Sequence, residues 1–292
     1  MNAVQSNLAW LFTLANARGK RGPESKVPSP YVRLHDDGPH RRRARAALPF
    51  GHSAEFSALI DSSIRAAEEN GSTKREPFSN PCALQPDTLG LLQELLNRHN
   101  SRAIVEFGSG ASTELFAPWA ALHDARFVSV EHDRIWVDDV KRRLASHERS
   151  RVDLRYMPLR FVRRGLRGFA TYRDLAGLAE TLRNADFVLI DGPHASGREP
   201  VIHAVLTSSQ PGAVIVVDDF RHYAMRQMLI DVSPAVGACF AAHAVDDNAH
   251  GLMVLRCLRS PPPSQIPAGG PLSIARSYWR CFKDLRQYGS GD

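Results

Sequence analysis

The chain predicts an α/β fold, a doubly wound and mostly parallel sheet with helices on both faces. Three observations carry this reading. Short apolar runs end repeatedly in an acid, a Gly-x-Gly turn follows the first of them, and helical stretches separate them. Runs rich in β-branched residues and bounded by turn residues are what strands buried on both faces look like.

The elements follow in order. Residues 53–70 read as a helix with Phe56, Leu59, Ile60 and Ile64 on one face. It is expected to cap a site or to pair two copies into a homodimer. A Pro-rich loop over 77–86 leads to a helix at 87–98, whose Leu91, Leu92, Leu95 and Leu96 face the sheet. The first strand, Ile104-Val105-Glu106-Phe107, runs into Gly108-Ser109-Gly110. Ser112 or Thr113 then offers an oxygen to cap a helix beginning near Glu114, with Leu115, Trp119 and Leu122 along one face. A strand, a glycine turn and a helix N-terminus build a nucleotide-sized cradle, because glycine lets the backbone approach a ligand and free amides point out of the helix end. A dinucleotide fingerprint would place its third glycine at position 113, which is Thr, so a nicotinamide or flavin enzyme is disfavoured.

The second strand, 126–130, ends in Glu131-His132-Asp133 ahead of a helix at 134–146. An acid closing this strand sits where a bound nucleoside places its ribose hydroxyls. The plainer alternative makes Glu131 and Asp133 a polar strand end and a helix cap. Residues 185–190 form another strand, ending in Asp191-Gly192-Pro193-His194, and residues 212–217 another, ending in Asp218-Asp219. Because the carboxyl ends of strands line the ligand crevice of such sheets, Glu106, Glu131, Asp191, Asp218 and Asp219 share one rim. A basic insertion at 158–184 precedes the strand at 185–190, and the final strand is 251–256.

These segments together resemble the successive signatures of class I S-adenosylmethionine-dependent methyltransferases, over roughly residues 85–258. The resemblance implies a Rossmann-like sheet of seven strands, the last one antiparallel, with S-adenosylmethionine as methyl donor. It places Gly108 and Gly110 at the methionine moiety, Glu106 near its amino group, Glu131 at the ribose hydroxyls and His132 near the adenine, with Ser109 and Ser112 also among the cofactor-binding residues. Families of this kind often carry an acid after the third strand to read the adenine amine. Here Val152–Tyr156 runs instead into Met157-Pro158-Leu159.

The acceptor is the harder question. Base-modifying amino-methyltransferases place an Asn/Asp-Pro-Pro-aromatic tetrad where this chain has Asp191-Gly192-Pro193-His194, with no aromatic. Metal-assisted O-methyltransferases place one Asp after the fourth strand of the sheet and an Asp pair after the fifth. Asp191, Asp218 and Asp219 match that arrangement. Three carboxylates converging with nothing cationic between them would call for a hard cation such as Mg²⁺. His194 is the expected base, since imidazole titrates near neutrality, with His222 in reserve. The expected activity is therefore methyl transfer to a hydroxyl of a small molecule or sugar. Two other readings stay open, a non-catalytic scaffold of the same fold and an enzyme acting on RNA or another polymer.

Composition sets the organisation. The 292 residues carry a formal net charge of +6, and residues 1–50 hold nine Lys/Arg against three acids, which accounts for all of it. The folded body thus carries no evident nucleic-acid field. The expected organisation is a basic, flexible tail over 1–50 with a short amphipathic helix near 6–17, and a helical extension over 51–84. A catalytic domain then spans 85–258, before a Pro-rich linker and tail over 259–292 with a small helix at 273–286. Four scattered cysteines, with neither metal-ligand spacing nor a disulfide framework, fit a reducing compartment. The apolar run 8–14 is far shorter than the ~20 residues of a membrane span, so a cytoplasmic location is expected.

Overall fold

A computed structural model of the protein describes residues 50–70, 84–245, 251–263 and 271–288. The expectations for the basic tail, the helix near 6–17 and most of the Pro-rich loop lie outside the described residues. All that follows concerns the compact unit Ala46–Asp292.

Seven strands form one sheet in the order β3-β2-β1-β6-β7-β9-β8. They are β1 (Ala103–Phe107), β2 (Arg126–Glu131), β3 (Val152–Tyr156), β6 (Phe187–Ile190), β7 (Val214–Val217), β8 (Phe240–Val245) and β9 (Leu252–Cys257). The pairs from β3 across to β7 are parallel, and β9, last in the chain, runs antiparallel between β7 and β8. This is the doubly wound, mostly parallel sheet that the sequence predicts.

Alternation along each strand divides the core into two layers. Val105, Phe107, Val130, Ile190, Ile215 and Leu255 face one side. Ile104, Phe127, Leu189, Val216 and Val254 face the other, where they meet α1 (Ala54–Asn70), α2 (Pro86–His99) and α3 (Ala111–His123). On that second side Phe116 of α3 sets its ring edge-on against Phe127 and Phe187, at 5.7 and 5.9 Å between centroids. Both values fall in the range where edge-to-face pairs add to simple burial.

Two helices depart from expectation. Helix α3 begins at Ala111, directly after the glycine turn, so Ser112 and Thr113 lie inside its first turn and Gly110 is the N-cap. The early start also moves its buried stripe to Phe116, Ala117, Trp119 and Ala120, and leaves Leu122 80% exposed. The expected helix 134–146 is shorter: α4 (Arg134–Arg143) ends at Leu144, and a separate turn, α5 (Ser146–Arg149), follows.

The basic insertion is a β-hairpin. Strands β4 (Leu159–Arg164) and β5 (Arg167–Tyr172) pair antiparallel through a turn whose Gly165 has φ +57°. Every residue of β5 is buried, whereas β4 exposes Arg160, Arg163 and Arg164. After α6 (Ala179–Asn184), α7 (Arg198–Ser208) and α8 (Tyr223–Val236), the C-terminal helix α9 (Pro271–Tyr288) lies against β5 and a 3₁₀ turn at Ala195–Gly197. Ser196 donates to Asp284 at 2.7 Å, and the amide of Gly168 donates to Ser277 at 3.2 Å. A buried ion pair, Arg167 with Glu199, ties the hairpin to α7. Burial pushes Glu199 up to about 7, and Arg167 opposes that shift.

Candidate active site

The carboxyl ends of β1 and β2 build the first half of the site. At the end of β1, Gly108 turns the chain at φ +93°. A Cβ there would lie 2.8 Å from the amide nitrogen of Gly192, so the loops after β1 and β6 touch backbone to backbone. Only glycine meets both conditions. Gly110 differs, with extended backbone and nothing nearer than the Trp136 indole at 4.0 Å from a Cβ built on it. The open side of the cradle is therefore at Gly110. Trp136 supports the cradle from outside by donating its indole N–H to the carbonyl of Ser109 at 2.5 Å.

Glu106 sits beneath this loop with 0% exposure. The β1–β2 register sets it beside Ser129, whose hydroxyl donates to Oε2 at 2.5 Å. Thr113 donates to the same oxygen at 2.6 Å while accepting the amide of Gly110 at 2.8 Å. Oε1 is buried and makes no hydrogen bond. Burial dominates and raises the carboxyl to about 7, although the hydroxyls of Ser112, Ser129 and Thr113 pull it down. A buried acceptor without a donor costs roughly 1–3 kcal/mol. Such an oxygen beneath an open glycine loop fits an incoming ammonium.

Glu131 closes β2 and is 4% exposed. Its Oε1 accepts from the amides of His132 and Asp133 at 2.6 and 2.8 Å, and lies 2.7 Å from His132 Nδ1. Its Oε2 accepts from the amide of Ser109 at 3.1 Å. One carboxylate thus locks β2 to the glycine loop. Asp133 is the N-cap of α4, accepting from Ile135 and Trp136, so the plainer reading holds for it.

The ends of β6 and β7 build the second half. Asp191, Asp218 and Asp219 do converge, each offering an oxygen within 4.8 Å of the others. The premise that nothing cationic lies between them is overturned. Arg198, the first residue of α7 and 4% exposed, projects its guanidinium into the group. It donates to Asp219 Oδ2 at 2.8 Å, to Asp191 Oδ1 at 3.1 Å and to the carbonyls of Pro193 and Asp218 at 3.0 and 3.5 Å. It also reaches the carbonyl of Asp191. Burial raises Asp191 to about 6, with Arg198 opposing and Asp219 adding to the shift. Burial and the neighbouring Asp191 and Asp219 push Asp218 well above its ordinary value. Asp219 holds a left-handed backbone, φ +63°.

The two histidines sit differently. The ring of His194 lies 6.1 Å from that of His132, across the gap between the two halves. Burial, then Arg198 and His132, lower His194 to about 4, so it is neutral at pH 7 and does not titrate near neutrality as expected. His222 precedes α8, and its Nε2 lies 3.6 Å from Asp219 Oδ1.

Sequence reasoning missed two members. Tyr172, from β5, is fully buried, and a Cβ on Gly192 would lie 2.7 Å from its hydroxyl. Arg198 is the other. One signal for it was available, since a cation in the first turn of a helix opposes the macrodipole and needs another reason to be there.

Fold and site together give a Rossmann-like sheet with a cradle at the ends of β1 and β2. Residues 105–220 match the family model described as a methyltransferase domain, and that stretch carries Glu106, the glycine loop, Glu131 and all three aspartates. The motifs that resemble a methyltransferase thus fall within the stretch the family model matches. No curated protein matches the chain. Among solved structures it is similar to a putative caffeoyl-CoA O-methyltransferase from Staphylococcus aureus (15% identity, 75% of this chain, 95% of that one, TM-score 0.44). It is also similar to the methyltransferase PaMTH1 of Podospora anserina, solved with S-adenosylhomocysteine (11%, 82% and 99%, 0.42). A third similar structure is CalS11, a TDP-rhamnose 3'-O-methyltransferase of calicheamicin biosynthesis (15%, 71% and 96%, 0.43).

Proposed function

We propose that the protein transfers a methyl group from S-adenosylmethionine to a hydroxyl of a small molecule or sugar. The observation that carries the donor assignment is the unpaired Oε1 of Glu106 under the open side of the Gly108–Gly110 loop. That oxygen would hold the donor's ammonium. The second lone pairs of Glu131 would take ribose hydroxyls, and His132 would border the adenine. When bound, the donor supplies a sulfonium methyl, the electrophile. The acceptor oxygen forms the new C–O bond as the C–S bond breaks, and S-adenosylhomocysteine leaves. Loss of the acceptor proton is the step left to the chain.

His194 is the residue we assign to that proton. It is neutral at pH 7 and faces the gap between the two halves of the rim. A base of pKa about 4 is weak, so most of the rate would come from holding the acceptor in line with the methyl. His222 is the reserve base, beside Asp219. Asp191, Asp218 and Asp219 as arranged do not fit a divalent ion, because the Arg198 guanidinium already pairs with Asp191 and Asp219. No step here is routed through a metal. The hydroxyl assignment rests on Asp191-Gly192-Pro193-His194, which offers no aromatic on which to stack a base. A polymeric anion is the second reading, favoured by Arg160, Arg163 and Arg164, which stand exposed on β4.

Calorimetry with S-adenosylhomocysteine, followed by radiolabelled methyl transfer to a panel of hydroxylated metabolites and to RNA, tests this. Micromolar binding and a labelled hydroxyl product are expected. Failure to bind would favour the scaffold reading, and labelling of RNA alone would move the acceptor to the polymer.

A further inference from the structure

We propose that Arg198 is a built-in replacement for a metal ion, its guanidinium holding Asp191, Asp218 and Asp219 together and keeping the site closed to divalent cations. The donor set around it is one a metal would use. Three carboxylates offer oxygens within 4.8 Å of one another, with backbone carbonyls beside them. A hard divalent cation takes such oxygens at about 2.0–2.6 Å and needs their centre empty. Here a guanidinium reaches in from α7 and takes an oxygen of Asp191 and one of Asp219. The guanidinium contacts two of the carboxylates and three main-chain carbonyls, of Asp191, Pro193 and Asp218, which uses its planar fork of donors fully.

Position makes the occupancy durable. Arg198 is nearly buried, its helix start is fixed by the loop Asp191–Gly197, and Glu199 beside it is clamped by Arg167. A cation entering from solvent would have to displace a buried, multiply bonded arginine. Such displacement is costly for a charge already paired. Arg198 touches no reacting atom in this arrangement, so its role is positioning. It sets the loop that carries His194 and leaves the rim with a fixed charge that chelators cannot remove.

Removing the guanidinium should open the vacated oxygens to a metal. The test uses the full chain and Mn²⁺ as probe, read by electron paramagnetic resonance and by melting temperature. The wild type should bind no Mn²⁺ that depends on Asp218. Arg198→Met, similar in bulk but uncharged, should bind one Mn²⁺ and melt higher in its presence. Arg198→Met combined with Asp218→Asn should lose both effects. Arg198→Lys, which keeps a charge, should stay closed. The idea is overturned if wild-type protein binds Mn²⁺ and Asp218→Asn abolishes it, or if folded Arg198→Met binds none. Should Arg198→Met be insoluble, the wild-type and Arg198→Lys measurements decide alone. The donor assignment is judged separately in the same samples by S-adenosylhomocysteine binding, which Mn²⁺ does not report.

Discussion

The two halves of the rim solve the same electrostatic problem in opposite ways. At the ends of β1 and β2, Glu106 and Glu131 are buried among hydroxyls and amides, with no Lys or Arg among the described residues bonded to either. At the ends of β6 and β7, three aspartates are already countered by the guanidinium of Arg198. Neutral donors leave a carboxylate's charge available to something that arrives later. An internal arginine satisfies the charge in advance. On the proposed function, the Glu106 half is the one left to bind a cation and the Arg198 half the rigid one.

The largest effect should come from breaking the rigid half. Removing one partner of a buried charged group costs about 3–5 kcal/mol, so Arg198→Met without metal should lower the urea midpoint steeply. Glu106→Gln, which removes no ionic partner, should shift it far less. Equal losses would erase the distinction between the halves.

Next is turnover. His194→Ala should slow methyl transfer by about a hundredfold or more, since general-base help is typically ~10²–10⁴. Because burial and Arg198 hold His194 near 4, the acidic limb of the wild-type pH–rate profile should fall near pH 4 rather than near 6.5. A limb that survives in His194→Ala and vanishes in His222→Ala would transfer the role.

Donor affinity follows. A charged hydrogen bond is worth about 1.5–3 kcal/mol, so Glu131→Ala should weaken S-adenosylhomocysteine roughly ten- to hundredfold in calorimetry. Asp219→Ala should leave it unchanged, since the aspartates lie in the other half. Unchanged affinity in Glu131→Ala would remove the ribose assignment.

A smaller, pH-dependent effect tests Glu106. Its carboxyl is raised from 4.5 to about 7, so the folded state keeps a proton that the unfolded state has lost. Its contribution to stability is therefore full below pH 4.5 and falls as pH rises through about 7. Ligand ammonium should favour the ionised form, so donor affinity should climb over the same interval. Both slopes should flatten in Glu106→Gln. Smallest of all is EDTA, which should change neither binding nor rate if Arg198 stands in place of a chelatable ion. Loss of activity in EDTA would contradict the arginine-filled site.

The fold was legible because it is written in local patterns. Apolar runs ending in Glu106, Glu131, Asp191 and Asp218 mark strands whose ends must share a rim, and a glycine turn marks where the first helix starts. The hairpin β4–β5 was hidden because Arg160, Arg163, Arg164 and Arg167 interrupt its alternation, and one of them is buried against Glu199. Arg198 was hidden for a different reason. Its partners are Asp191, seven residues earlier, and Asp219, 21 residues later, and only the β6–β7 pairing brings them together. Spacing shows which acids gather. It does not show which distant side chain reaches in among them.

The bond between Ser196 and Asp284 has a consequence for how the protein is made. Glu106 and Glu131 have been translated by residue 131, and the loop carrying His194 and Ser196 follows. The anchor of that loop is translated 88 residues after Ser196, which at ~5–20 residues per second is a delay of roughly 4–18 s. A nascent chain halted in that interval would already own Glu106, Glu131 and Arg198, while the loop carrying His194 still lacked its bond to α9. Synthesis itself thus adds this brace on the His194 loop last.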